Sequence, residues 1–195
     1  DMHDANGGFY ATRDADSEGH EGLFYLWDPD EVRDLLGDDF DVFAKRFGRN
    51  IEANFEDRWH LTVHEQVTDD EAAVIDTARP ILHARRATRI APARDEKQLT
   101  SWNALAIRGL AIAGRALERP DLIDAAGDAV EFLRKNLVQD GRLLARYKDG
   151  QARFAAYLDD HAFLLDALLE LLQARWNTEH LDFAQHLAKL LVELF

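Results

Sequence analysis

The sequence predicts an all-α fold built from repeated helical hairpins, with a small β-hairpin near its N-terminus. Three observations carry that expectation. After the charged turn Arg94–Lys97, the helix that runs on to Leu117 is apolar on nearly every side, interrupted only by Arg108 and Arg115, which is the pattern of an inner helix and not of a surface one. The segment Leu99–Leu133 repeats as Tyr157–Leu191 at an offset of about 58 residues, aligning Ala104 with Ala162, Leu105 with Phe163, Asp124 with Asp182 and Ala126 with Ala184. In each copy a wholly apolar helix is followed by an amphipathic one: Leu122, Ala126, Ala129, Val130 and Leu133 share one face while Asp121, Asp124, Asp128 and Glu131 lie elsewhere. Buried inner helices paired with half-exposed outer ones fit a closed α/α toroid better than an open solenoid with a wet concave face.

Taken in order, Asn6-Gly7-Gly8 reads as a turn. The aromatic-rich runs Gly8–Thr12 and Leu23–Trp27 read as the strands of a hairpin whose long acidic loop contains Asp14, Asp16, Glu18 and Glu21. Asp28-Pro29 caps a helix over Asp30–Leu36, and Asp38–Phe47 is a second short helix. Residues 48–67 lack a helical period and read as loop with a short strand. Asp69–Arg86 has acids in its first turn and arginines in its last, matching the helix dipole. Residues 1–67 and 68–195 then form two parts of one domain segment, the second made of helical hairpins. The inner helices are expected at Leu99–Leu117 and Leu158–Trp176, buried all round, with Thr100 or Ser101 capping the first.

Composition narrows the function. The chain has 195 residues, 47% hydrophobic, with 37 acidic against 23 basic side chains and a net charge of -14. That balance disfavours nucleic acid and anionic membranes as partners. Without cysteine, thiolate chemistry, disulfides and Cys-ligated zinc are excluded. The D-x-D-x-E-G start of the acidic loop resembles a calcium loop, but the glutamate required at its twelfth position is Tyr25, so no metal site is expected. The loop reads instead as a solvated turn facing the arginines of residues 85–94. No cofactor motif is present: there is no Walker A, G-x-G-x-x-G, G-x-S-x-G or H-E-x-x-H. His180 and His186 read as surface residues of an outer helix. No apolar run reaches the length of a membrane span and the N-terminus lacks a signal-peptide pattern, so a cytoplasmic location is expected.

The ordered motifs GGFYATRDADSEGHEGLFYLWDPDEV, ANFED, PARDEKQLTSWNALAIRGLA and YLDDHAFLLDALLEL resemble bacterial thioredoxin-domain-containing proteins related to spermatogenesis-associated protein 20. The resemblance implies a six-hairpin (α/α)6 toroid similar to glycosidases and N-acylglucosamine 2-epimerases, in a protein that also carries a thioredoxin-like module absent here. Glu96, Ala104 and His161 depart from the family pattern, as does the stretch around Asn54-Phe55. Six units of this length need roughly 350 residues, so the chain is expected to supply about half of a ring, cut at both ends, with unpaired apolar flanks that favour a homo-oligomer.

Sugar-processing toroids use carboxylates for proton transfer and aromatics for stacking. The candidate catalytic residues are therefore Asp16, Asp95 and Asp160. The candidate substrate-binding residues are Tyr10, Trp27, Lys97, Trp102, Asn103 and His161, with Asp160 and Trp102 opening equivalent inner helices. The expected ligand is a sugar, bound or processed by general acid/base chemistry of the hydrolase or epimerase kind. The alternative is a non-catalytic interaction scaffold; an Asp at a helix start needs no ligand to explain it.

Overall fold

The computed structural model describes residues 1–48, 53–55 and 58–195. Of the ANFED motif, Glu56 and Asp57 lie outside the described residues. The chain divides into two compact units, one formed by Asp1–Thr12 with Arg94–Phe195 and the other by Arg13–Ala93. The division does not fall near residue 67, because α3 (Asp69–Ala87) shares a core with α1 (Pro29–Leu36) and α2 (Phe40–Phe47).

In this second unit, Trp27, Val32, Phe43, Trp59, Ile75 and Ala78 are buried together. Asp28 caps α1 by accepting from the Asp30 and Glu31 amides, with Pro29 in the first turn. Thr68 and Glu71 form a capping box on α3, and Glu71 also binds Lys45 at 2.7 Å. The hairpin lies elsewhere than expected. Two-residue strands β1 (Thr12–Arg13), β2 (Asp16–Ser17) and β3 (His20–Glu21) replace the long aromatic ones, and β2 pairs with β3 inside the acidic loop itself. Gly19 and Gly22 take positive φ there, a conformation open to glycine at little cost. Trp27 instead bridges to Trp59 through two backbone hydrogen bonds of 2.9 Å. Arg85, Arg86 and Arg89 find their partners outside the acidic loop. Arg85 and Arg89 both pair with Glu31 at 2.8 and 2.9 Å, and Arg86 lies over the rings of Phe24 and Tyr25.

The first unit contains the repeat. Its helices are α4 (Thr100–Ala116), α5 (Pro120–Leu137), α6 (Leu158–Ala174) and α7 (Thr178–Leu194). The inner helices α4 and α6 lie side by side and parallel: Asp160 at the start of α6 bonds Ser101 at the start of α4, while Glu170 and Gln173 near the end of α6 bond Arg115 near the end of α4. Gly114 permits the tight return into α5, since a Cβ there would lie 2.6 Å from Ile123 and 3.0 Å from the Arg119 carbonyl. The core joins Ile107, Ala111, Val130, Leu133, Leu164 and Leu168, all fully buried.

Burial of the inner helices is one-sided, not all-round. Ala104, Ile107 and Ala111 on α4 are fully buried, yet their counterparts one repeat later, Ala162, Leu165 and Leu169, are half-buried or exposed. Each inner helix has neighbours on only part of its circumference, so an apolar surface remains open. His180, expected at the surface, is buried and meets Glu131 at 3.2 Å.

Between the two hairpins the chain forms a sheet that the helical reading missed. Strand β7 (Arg142–Lys148) is flanked by β5 (Gln98–Leu99) and β8 (Gln151–Ala155), with β6 (Val138–Gln139) on its first residues. The turns are Asp140-Gly141 and Asp149-Gly150, all four at positive φ, the geometry of two-residue hairpins. Leu143 and Ala145 are buried under this sheet, and Tyr147 meets Phe132 edge to face. A remaining two-residue strand, β4 (Arg94–Asp95), precedes β5.

Candidate functional site

The chain enters α4 directly from β5 and enters α6 two residues after β8, so one sheet carries the starts of both inner helices. Thr100 is buried, and its hydroxyl donates to the Leu144 carbonyl at 2.6 Å. That fixes the start of α4 to β7 but leaves its first-turn amides without a cap from Thr100 or Ser101. Asp160 supplies what is missing. Its Oδ1 accepts from the Ser101 amide and its Oδ2 from the Tyr157 amide, each at 2.9 Å.

This placement corrects the expectation that Asp160 is a free catalytic carboxylate. It is 3% exposed and both oxygens are engaged by backbone donors, which is the work of a helix cap. The carboxylate spared for solvent is its neighbour Asp159. Because Ser101 and Tyr157 share one acceptor, the exposed rings that accompany them, Trp102 (52%) and Tyr157 (66%), belong to the same rim. Tyr157 was not anticipated; its signal was an aromatic immediately before the second inner helix.

Asn103 is likewise structural. Buried at the start of α4, it accepts from the Phe9 amide at 2.7 Å and donates to the carbonyls of Phe9 and Leu99, so all its near polar capacity ties the N-terminal segment to the helix. Tyr10 cannot stack on a ligand through its covered face: Arg94 lies 3.8 Å over the ring and its hydroxyl donates to Asp4. The Asp4 carboxyl is pushed up by burial, but hydrogen bonds from Tyr10, Asn6 and Gln98 outweigh this and leave it below the ordinary value. The same bond to Asp4, with burial, raises the Tyr10 phenol. Gly7 and Gly8 make the placement of this segment possible, since a Cβ at Gly8 would lie 2.4 Å from the Gln98 side chain and 2.7 Å from Phe132.

His161 is buried, with Nδ1 2.8 Å from the Tyr157 carbonyl and its ring edge-on to Phe195; it offers no exposed donor to a substrate. Asp95 and Lys97 remain at the surface as a pair, 3.0 Å apart. The hydrogen bond and charge of Lys97, with a smaller contribution from Lys148, hold the Asp95 carboxyl below its ordinary value. Lys97, Asp95 and Trp102 are thus the anticipated residues of this unit that stay available to a ligand.

The other two lie in the second unit. Asp16 is exposed on β2, opposite Glu21 in register. Trp27 is a core residue with Arg89 stacked 4.1 Å over its ring, which removes it from any sugar platform. Two grooves in the first unit, of about 570 and 420 Å3, are lined around Asp124, Arg175 and His180, and around Asp4, Phe132 and Tyr147; neither is lined by Asp95, Trp102 or Asp160. Among the described residues no group of three or more His, Asp or Glu is placed to hold a metal ion, and no helix is long and apolar enough to cross a membrane.

No protein-family model matches the chain. Curated relatives do. An uncharacterized protein of Caenorhabditis elegans is 33% identical over 95% of this chain. Spermatogenesis-associated protein 20 of Rattus norvegicus is 27% identical and that of Homo sapiens 26% identical, each over 97% of this chain. The chain is thus similar to spermatogenesis-associated protein 20 along almost its whole length. It spans 31% of the length of the nematode protein and 30% of the two mammalian ones. Among solved structures, it is similar to cellobiose 2-epimerase from Bacillus thermoamylovorans, with a TM-score of 0.46 and 12% identity over 97% of this chain and 50% of that one. It is also similar to the GH76 α-mannanase of Bacteroides thetaiotaomicron, with a TM-score of 0.44 and 14% identity over 76% of this chain and 51% of that one.

Proposed function

We propose that this chain forms part of a carbohydrate-binding surface, with sugar rings stacking on Trp102 and Tyr157 and hydroxyls hydrogen-bonding to Asp95 and Lys97. The observation that supports this reading is the shared acceptor Asp160, which sets two exposed aromatics on one rim. Flat aromatic faces cover the apolar faces of sugar rings, and a paired carboxylate and ammonium offer both acceptor and donor to hydroxyls. Proton transfer on a bound sugar would need two carboxylates; within this unit Asp95 is one candidate.

The test is calorimetric titration with a panel of neutral mono- and oligosaccharides, repeated with Trp102→Ala and Asp95→Asn. Binding that weakens at least about tenfold in Trp102→Ala supports the reading. Absence of binding across the panel, or binding indifferent to Trp102, overturns it.

A second reading, a non-catalytic interaction scaffold, is favoured by one observation. Leu158 and Leu169 are exposed apolar residues on one face of α6, at positions whose counterparts Thr100 and Ala111 on α4 are buried, and Trp176 is exposed just beyond the helix end. Exposed apolar stripes of this kind serve as contact surfaces for other chains. Pull-down of a defined partner lost in Leu169→Glu, without sugar binding, would favour it.

A further inference from the structure

In a chain of net charge -14, one surface is basic. Along β7 the side chains alternate: Leu143 and Ala145 turn to the core and Arg142, Arg146 and Lys148 lie on the opposite face, where Leu144 is half-buried against the edge of the core. Across the sheet, Arg146 is the direct register partner of Arg153 on β8. Directly opposed side chains in an antiparallel pair have Cβ atoms about 5 Å apart, and like charges there repel.

The repulsion is not relieved by the protein. Arg153 donates to Gln151 at 2.6 Å, Arg146 lies 5.2 Å from the Phe154 ring centroid, and among the described residues neither makes an ion pair. The Nε of Arg146 is buried without a hydrogen-bond partner. Thirty-seven acidic residues are available in this chain, and among those described none neutralises the pair.

Phe154 adds an independent sign. By strand alternation it belongs on the core side, with Ala152 on the same strand, yet it takes φ 65 and is 61% exposed. A non-glycine residue in this conformation is strained, and such strain persists where the surroundings enforce it, often at ligand sites. Here it turns an aromatic ring out beside the Arg146 guanidinium.

The geometry points to a binding site on the outer face of β7 and β8 for a small oxyanion carried on a ring, with the oxyanion bridging Arg146 and Arg153 and the ring lying on Phe154. Guanidinium groups bind carboxylate and phosphate oxygens in pairs, and the aromatic face accepts the apolar side of a sugar ring. The class is a sugar acid or a sugar phosphate. A polyanion is disfavoured because the remaining surface is strongly acidic. The site rests on Arg146, Arg153 and Phe154 and not on Trp102, so it can hold whether or not neutral sugars bind at the Trp102 rim.

The experiment is amide chemical-shift titration of the full chain at low ionic strength with glucuronate, glucose 6-phosphate, inorganic phosphate and, as control, glucose. Variants are Arg146→Gln and the more exposed Arg153→Gln, each checked by thermal melting. Shifts confined to β7 and β8 with glucuronate or glucose 6-phosphate, weakened at least about tenfold in Arg153→Gln and by added salt, are expected. The stronger of the two ligands distinguishes a carboxylate from a phosphate source. No shift with either ligand, shifts unchanged in Arg153→Gln, or tighter binding of a short oligonucleotide at the same amides would overturn the proposal.

Discussion

Arg108 and Asp166 stand 58 positions apart, one full repeat, and their side chains meet at 2.6 Å across the two inner helices. Equivalent positions therefore face each other, as Arg115 and Gln173 also do at the same spacing. The polar stripe that interrupts each apolar helix pairs with its own copy.

Both partners of that contact are about half exposed, so its removal should matter little. Asp166→Ala is expected to cost under about 1 kcal/mol, whereas Leu168→Ala, in the fully buried core, should cost about 2 to 5 kcal/mol. Urea denaturation of the two variants checks the contrast, and equal losses would contradict it.

Asn103→Ala should destabilise by about 1 to 3 kcal/mol, because it leaves the part-buried Phe9 amide and two carbonyls without their partner. The loss should be local as well. Hydrogen exchange at residues 1–12 is expected to accelerate before that of α4.

Asp160→Asn is not a neutral cap exchange. An amide has a single acceptor oxygen, and its NH2 group would confront one of the two backbone amides that Asp160 now satisfies. A loss of about 1 to 3 kcal/mol is expected, with sugar binding at Trp102 weakened only in step with folding. A stable variant that has lost binding would return Asp160 to a direct role.

The hydrogen bonds around Asp4 make a pH prediction. With its folded value depressed, Asp4 stabilises the fold above the unfolded carboxyl value of about 3.9 and ceases to do so as pH falls through the lower folded value. Tyr10, with its value raised, contributes below about pH 10 and loses that contribution as pH rises further. Tyr10→Phe should therefore shift the acid transition toward higher pH and flatten the alkaline loss, both readable from thermal melts across pH.

The helices were legible in the sequence because their signals are local and repeated: Pro29 after Asp28, the acids that open and the arginines that close Asp69–Arg86, and the 58-residue offset. The sheet β5–β7–β8 carries signals too, Asp140-Gly141 and Asp149-Gly150 around the alternation Leu143, Ala145, Tyr147, but these are short beside the 58-residue helical repeat that encloses them. The candidate site was less legible. A carboxylate or amide at a helix start has the same sequence pattern whether it meets a ligand or a backbone amide, and for Asp160 and Asn103 the deciding partners, Ser101 and Phe9, are 59 and 94 residues away. Trp27 and Tyr10 illustrate the same limit: the arginines that cover their rings lie far along the chain.

The distance between Ser101 and its acceptor bears on how the chain is made. When α4 leaves the ribosome, the carboxylate that completes its first turn is still 59 residues from synthesis, so the first hairpin emerges with an uncapped end and an apolar flank open to solvent. That cap is supplied only when α6 arrives. Nascent chains halted before Asp160 should accordingly be held by chaperones or cleaved near Thr100, while those halted beyond α6 resist both.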